Sequence, residues 1–265
     1  MTLFEAIILG IVQGLTEFLP VSSSGHIELG TYLLGIQAAD NLLFSIIVHA
    51  ATALSTIVVF RKDILEIFKD LFKFEWNEGT QFASKLLLSM VPIGIVGLLF
   101  EEEISSFFGG KIIFVGFMLL VTATLLTFSH FAPKKDGVVT FPKAVLIGLA
   151  QTIAILPGLS RSGTTISVAL LAGVDREKAA RFSFLMVLIP ILGGAFLKLL
   201  DYMENPAMAE GISAGALIAG FLAAFFAGLL ACVWMIKIVK KGKLIYFAIY
   251  CAIVGTLAIL GGLFL

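Results

Sequence analysis

Charge is what this sequence has least of. Only 14% of its 265 residues are Asp, Glu, Lys or Arg, where a soluble domain carries about a quarter. With 59% hydrophobic residues, the chain cannot cover its apolar surface with polar groups of its own, so lipid has to cover it. There is no excess of basic charge either: Lys plus Arg and Asp plus Glu are 18 each. That balance excludes a nucleic-acid binder, which needs a basic face to neutralise phosphates. Cysteine is nearly absent. Cys232 and Cys251 sit inside apolar runs at no metal-binding spacing, and both read as small core hydrophobes. No cleavable leader is expected: the N-terminus has no basic region, and its first apolar run leads into Glu17 rather than a small-residue cleavage site.

Long apolar runs take the place of what is lacking. Six approach the ~20 residues that cross a bilayer as a helix: 42–60, 86–100, 112–131, 182–200, 215–236 and 244–265. The second is short and calls for an extension through Phe82 and Ala83. Two further apolar stretches, 3–35 and 144–173, are broken near their middles by Pro, Gly and clustered Ser. Irregular backbone at membrane depth survives only where protein buries it or it lines a wet cavity. Each is therefore expected to be a re-entrant helix–loop–helix. The fold class is all-α and polytopic, with six transmembrane helices and two re-entrant segments.

Basic residues orient the chain. Arg61, Lys62, Lys69, Lys73 and Lys85 lie between the first two spans, and Lys134, Lys135 and Lys143 follow the third. Arg176, Lys178 and Arg181 precede the fourth, and Lys237, Lys240, Lys241 and Lys243 separate the last two. The other connections are acidic: Glu101, Glu102 and Glu103 in one, Asp201, Glu204 and Glu210 in the other. One topology puts every basic cluster in the cytoplasm and both termini outside. In it the first broken segment enters from outside and the second from the cytoplasm.

The two broken segments are related. Shifted by 138 positions, LGIVQGLTEFLPVSSSGH (9–26) falls on IGLAQTIAILPGLSRSGT (147–164). Gly10 meets Gly148, Gln13 meets Gln151, Ser22 meets Ser160, Ser24 meets Ser162 and Gly25 meets Gly163. The chain divides into a first repeat over 1–131, a cytoplasmic linker over 132–143 and a second repeat over 144–265, together one membrane domain. Each repeat has one broken segment and three spans, an odd number, so the second copy runs inverted. Transporter-like folds of this kind place their site where the broken segments meet, near the midplane.

The first copy carries Gln13, Glu17, Ser22, Ser23, Ser24 and His26. Gln13 and Glu17 are four apart and share a helix face. A carboxylate in the bilayer interior is costly and marks function, although Glu17 facing headgroups would be the plainer reading. The serine run begins a second half-helix, whose free N–H groups and positive dipole end suit phosphate; simple capping would need one hydroxyl, not three. His26, so close to a carboxylate and hydroxyls, reads as an acid–base group more readily than as a satisfied core histidine. The second copy carries Ser160, Arg161, Ser162, Thr164 and Thr165 but neither the carboxylate nor the histidine, since Ala154 and Thr164 occupy those positions. Arg161 needs an anion, and its forked donors match phosphate; pairing with Glu17 alone is the alternative. His49 is open between cavity and core, His130 reads as interfacial, and Glu101–Glu103 as a solvated outer turn.

QGLTEFLPVSSSGH and LPGLSRSGTT resemble the two signature motifs of the bacterial undecaprenyl-diphosphatase family, (E/Q)xxxE with PVSSxGH and PGxSRSxxT. The likeness runs over the full length, with Gln13 as the uncharged variant of the first motif position. It implies hydrolysis of undecaprenyl diphosphate to undecaprenyl phosphate and inorganic phosphate, which recycles the carrier for peptidoglycan and underlies bacitracin resistance. It implies a multi-pass protein of the bacterial plasma (inner) membrane, a site open to the extracytoplasmic face, and a divalent cation, Mg²⁺ or Ca²⁺. Combined with the residue chemistry, it makes Glu17, His26, Ser23 and Arg161 the catalytic set, with Ser23 preferred as nucleophile over a directly attacking water. Gln13, Ser22, Ser24, Ser160, Ser162, Thr164 and Thr165 would bind the diphosphate, and Glu17 with Gln13 would hold the metal. The partners are a polyprenyl diphosphate and membrane lipid, with room for a homodimer. The competing reading is a lipid-phosphate transporter or flippase built on the same inverted site. A purely structural role leaves Glu17, His26 and Arg161 without a purpose.

Overall fold

The computed structural model describes residues 1–34, 42–204 and 212–264. Among these residues the protein is a bundle of helices with one isolated bridge, Gly137 to Val174. The first broken segment forms α1 (Leu3–Phe18) and α2 (Ser23–Leu34). Thr2 and Glu5 close a capping box at the start of α1, the reciprocal arrangement that satisfies two free N–H groups. The span α3 (Leu42–Val59) then bends by 74° into α4 (Arg61–Leu71). The bend falls where apolar residues give way to charge. Leu65 and Phe68 stay exposed on α4 among Lys62, Asp63, Glu66 and Lys69, the pattern of a helix lying along a membrane surface.

Next come α5 (Glu78–Leu99), the short α6 (Glu101–Ser105) and α7 (Ile112–Phe131). The span expected over 86–100 is therefore longer, because Asn77 caps α5 by accepting from Thr80 N–H at 2.9 Å. The triplet Glu101–Glu103 is exposed on α6. The second broken segment forms α8 (Phe141–Ile153) and α9 (Arg161–Leu171), followed by α10 (Arg176–Met186) and α11 (Leu188–Glu204). The run expected as one span over 182–200 starts earlier, at Arg176, and is interrupted at Val187. Pro190 supplies the reason: it has no N–H for the carbonyl of Met186, and its ring crowds that carbonyl. Last are α12 (Ala214–Lys241) and α13 (Ile245–Phe264). The acidic loop expected around Glu210 lies outside the described residues.

The two halves are exchanged in their packing. Helix α1 packs mainly on α12, and α8 on α5. Gly10 and Gly148, equivalent in the repeat, each press against the backbone of the other half, at Gly220 and Ser89 respectively. Gly14 continues the first contact: a Cβ there would come within 2.5 Å of the Ala224 carbonyl. Small residues let helices approach closely where lipid gives no hydrophobic drive for association. Gly116 of α7 and Gly255 of α13 repeat the device. On the side carrying the basic clusters, Asp63 pairs with Arg181 at 2.6 Å and Glu177 with Lys240 at 2.6 Å, tying α10 to α4 and α12. His130 stands beside them, half-buried, with Nδ1 3.1 Å from the Gly242 carbonyl.

Candidate active site

Both re-entrant segments turn through the same capped loop. Ser22 Oγ accepts from Gly25 N–H at 3.2 Å, and Ser160 Oγ accepts from Gly163 N–H at 3.1 Å. Each capping serine also meets the serine two residues on: Ser22 to Ser24 at 3.3 Å, Ser160 to Ser162 at 3.4 Å. The capping alternative is thus realised at Ser22 and Ser160, and these hydroxyls serve the fold first. Ser22 adopts φ +71°, a left-handed conformation uncommon outside glycine. The second loop makes its left-handed turn at Gly158 instead, φ +94°.

The loops touch each other. Gly25 lies against Gly158, and Gly163 against Pro20, so the starts of α2 and α9 are side by side. Spans of the opposite half hold each tip. Thr122 of α7 accepts from Ser160 N–H at 2.9 Å and stands 3.2 Å from the Gly158 carbonyl. Cys251 of α13 brings Sγ to 3.7 Å from the Pro20 carbonyl. Both cysteines are buried and free.

Glu17, at the end of α1, is where the halves meet chemically. Its side chain is almost fully buried. Arg161, the first residue of α9, makes an ion pair with Oε1. Gln13 Nε2 donates to Oε2 at 3.0 Å, and Ser23 Oγ donates to the same oxygen at 2.6 Å. The structure therefore brings Glu17, Gln13, Ser23 and Arg161 together. The pairing of Arg161 with Glu17, weighed above as an alternative, is present, and each charge offsets the cost of burying the other.

The histidines divide differently from the expectation. His26 turns away from the carboxylate: Nδ1 donates to the Ser22 carbonyl at 2.8 Å, while Nε2 lies 2.8 Å from the Tyr250 hydroxyl and the two rings stack. His49, left open by the sequence, has Nε2 3.9 Å from Glu17 Oε2. Its Nδ1 donates to the Ser45 carbonyl at 2.8 Å, which leaves Nε2 as the nitrogen facing the carboxylate. Of the other expected residues, Thr165 is committed to the Arg161 carbonyl at 2.9 Å and the Ser183 hydroxyl at 2.5 Å. Ser162 donates to the Leu19 carbonyl at 3.3 Å. Thr164 is buried with its hydroxyl unpartnered. Sequence reasoning missed Tyr250 and Thr122, and neither carries a local signal.

Among the described residues no three His, Cys, Asp or Glu side chains cluster to hold a metal. Among the described residues Glu17 is the single carboxylate of the site, and both its oxygens have partners. Gln13 Oε1 is buried beside it without a partner. This donor set suits a hard cation shared with substrate oxygens and does not suit one held by protein alone.

A family model described as bacitracin resistance protein BacA matches residues 6–257. The chain is 56% identical over 262 residues to an undecaprenyl-diphosphatase of Christiangramia forsetii, covering 98% of each chain. It is 55% identical over 257 residues to one of Bacteroides fragilis, covering 97% of each. At greater distance it is 36% identical over 279 residues to one of Methanobrevibacter smithii, covering 99% of each.

Proposed function

The chain belongs to the bacitracin resistance protein BacA family, and from that membership and its site we infer that it is an undecaprenyl-diphosphatase of the membrane. It releases inorganic phosphate from undecaprenyl diphosphate and returns undecaprenyl phosphate to the carrier pool for peptidoglycan synthesis. Removing the diphosphate that bacitracin sequesters accounts for resistance. The single observation that carries the mechanism is the shared hydrogen bond of Ser23 to the buried Glu17, with Arg161 on the carboxylate's other oxygen.

In this reading the terminal phosphate enters beside Arg161. The guanidinium swings part of its fork from Glu17 to the phosphate oxygens, where it offsets the charge that develops in the transition state. Glu17, relieved of that partner, accepts the Ser23 proton across the 2.6 Å contact. Ser23 Oγ forms a bond to the terminal phosphorus as the bridging P–O bond breaks, and undecaprenyl phosphate leaves. Glu17 gives that proton to the departing undecaprenyl phosphate; water then attacks the phosphoserine, Glu17 takes a proton from the water and returns it to Ser23 Oγ, and the Ser23 O–P bond breaks as inorganic phosphate departs. N–H groups at the starts of α2 and α9 face the diphosphate. His26 is the proton donor or acceptor on the Tyr250 side, reached once that hydroxyl is released. Gln13 Oε1 and Glu17 would hold Mg²⁺ or Ca²⁺ jointly with the phosphates, and the cation would supply charge neutralisation there.

The positive-inside distribution supports an orientation with both termini outside, and family membership supports placing the protein in the bacterial inner membrane with the site opening to the extracytoplasmic face. Phosphate release from undecaprenyl diphosphate by detergent-solubilised protein tests the function. Release without any membrane gradient, lost on chelation of divalent cations, is expected. Binding of the lipid without release would favour the transporter reading instead.

A further inference from the structure

Two patches on the face that carries the basic clusters differ in charge. Residues 61–75, which are α4 and the turn after it, hold four Lys and Arg and four Asp and Glu. Two of those acids are paired, Asp70 with Lys73 and Asp63 with Arg181, each at 2.6 Å. The second patch is not balanced. Its three stretches, 130–136, 175–178 and 240–243, hold seven Lys and Arg against three Asp and Glu. Two of the three acids are already engaged. Asp175 caps α10 by accepting from the N–H groups of Glu177 and Lys178, and Glu177 pairs with Lys240.

The three stretches form one surface. Asp175 N–H donates to the Gly137 carbonyl at 2.9 Å, which joins the linker to the start of α10. At Gly242, φ +68°, α12 turns towards α13. The Arg176 guanidinium lies so close over this turn that a Cβ at Gly242 would collide with it. His130 reaches the carbonyl of the same glycine from the end of α7. Arg176 is thus half-buried between helix ends, and among the described residues no carboxylate pairs with it. Lys241 and Lys243, on either side of Gly242, are exposed. Next to this charge the surface turns aromatic: Phe131 is 75% exposed and Tyr246 63%. Helices α7 and α13 pack antiparallel, Gly116 on Gly255 and Ile113 on Gly262, so both rings stand at the same end of the pair.

We propose that this patch is a binding site for an anionic glycerophospholipid of the adjoining leaflet. Arg176, Lys241 and Lys243 hold its phosphate, and its acyl chains lie along Phe131 and Tyr246. The proposal rests on the membrane embedding of the chain and not on the phosphatase reading. Basic pockets between membrane helices take phospholipid head groups, and a guanidinium fork with no carboxylate is matched by phosphate oxygens. A zwitterionic lipid brings its own cation to the phosphate and gains less from the surplus charge. A soluble anion has no chains to cover the exposed rings. The balanced patch at α4 offers no such surplus.

The test is native mass spectrometry of the delipidated full chain in detergent, titrated with dioleoyl phosphatidylglycerol or dioleoyl phosphatidylcholine. The wild-type protein is expected to bind its first phosphatidylglycerol about 10-fold more tightly than phosphatidylcholine, the scale of attraction to one or two basic residues at a membrane surface. The exposed double variant Lys241→Gln/Lys243→Gln should lose most of that preference, and Lys62→Gln/Lys69→Gln on α4 should keep it. No preference in the wild-type protein overturns the site. Equal loss in both double variants also overturns it, since the charge would then act from anywhere on the face. Displacement of phosphatidylglycerol by an equal concentration of glycerol 3-phosphate would assign the patch to a free anion and overturn the lipid. Should the Lys241/Lys243 variant not fold, the wild-type protein is labelled with phosphatidylglycerol carrying a diazirine beside its glycerol backbone. Adducts on 130–134, Arg176 or 241–246 support the site, and adducts confined to other segments overturn it.

Discussion

Glu17 has four partners on four different stretches of chain, and the energetics of the site turn on it. Burying a lone carboxylate is very costly, and the cost is offset here by Arg161, Gln13 and Ser23 together. Each partner has a separate expected effect. Ser23→Ala removes the proposed nucleophile, and phosphate release should fall at least ~10³-fold, with no phosphoenzyme trapped on rapid quench; near-normal turnover would mean that water attacks directly. Arg161→Lys keeps the charge but loses the fork, and kcat should drop about 10²-fold in the same assay. The second variant separates geometry from charge, because a lysine can still neutralise Glu17. His49 stands 3.9 Å from the carboxylate, and His26 is held by Tyr250. Tyr250→Phe should free His26 with a change in kcat within about 10-fold, a modest effect for one neutral hydrogen bond of ~1 kcal/mol. A loss as large as that of Ser23→Ala would instead place the Tyr250 hydroxyl among the reacting groups.

Among the helices, α1 and α8 matter most, since they lead into the two capped loops that meet at Gly25 and Gly158. Their position depends on close approach to a span of the other half, Gly14 against the backbone of α12 and Gly148 against that of α5. Gly14→Leu puts several carbons where Ala224 and Gly228 already stand. Overpacking of this kind costs about 1–3 kcal/mol, and the midpoint of thermal unfolding in detergent should fall. Activity should fall with it even below that midpoint, because α1 carries Glu17 at its far end. A variant that unfolds at the wild-type temperature with intact activity would show that α12 can shift. The tips themselves are legible as motifs, and their mutual contact at Gly25 and Gly158 is not, since no local pattern encodes which loop meets which.

The whole molecule is a membrane protein with two halves that complete each other. The first supplies Glu17, the Ser23 hydroxyl bonded to it and both nearby histidines; the second supplies Arg161. Orientation belongs to this scale too. With both native cysteines buried, the protein offers a low background for thiol labelling. Glu102→Cys, on exposed α6, should react with a membrane-impermeant maleimide on intact cells, and Lys69→Cys, on α4, only after the cells are opened. The reverse pattern would invert the proposed topology and turn the site toward the cytoplasm.

Composition alone made this a lipid-embedded chain, and periodic apolar runs located its spans, because burial in a bilayer is a demand on every residue of a segment and is read additively. The two polar segments, their kinship and the pairing of chemistry between them are likewise in the sequence, as Glu17 and Arg161 are rare residue types within apolar spans. Tertiary structure decided the rest. It brought His49 and not His26 to the carboxylate, since α3 packs beside α1 with both of them on α12. It turned Ser22 and Ser160 into caps and committed Thr165 to Ser183. Such pairings depend on which distant backbones can approach one another, and that is a property of the packed bundle that no single segment carries.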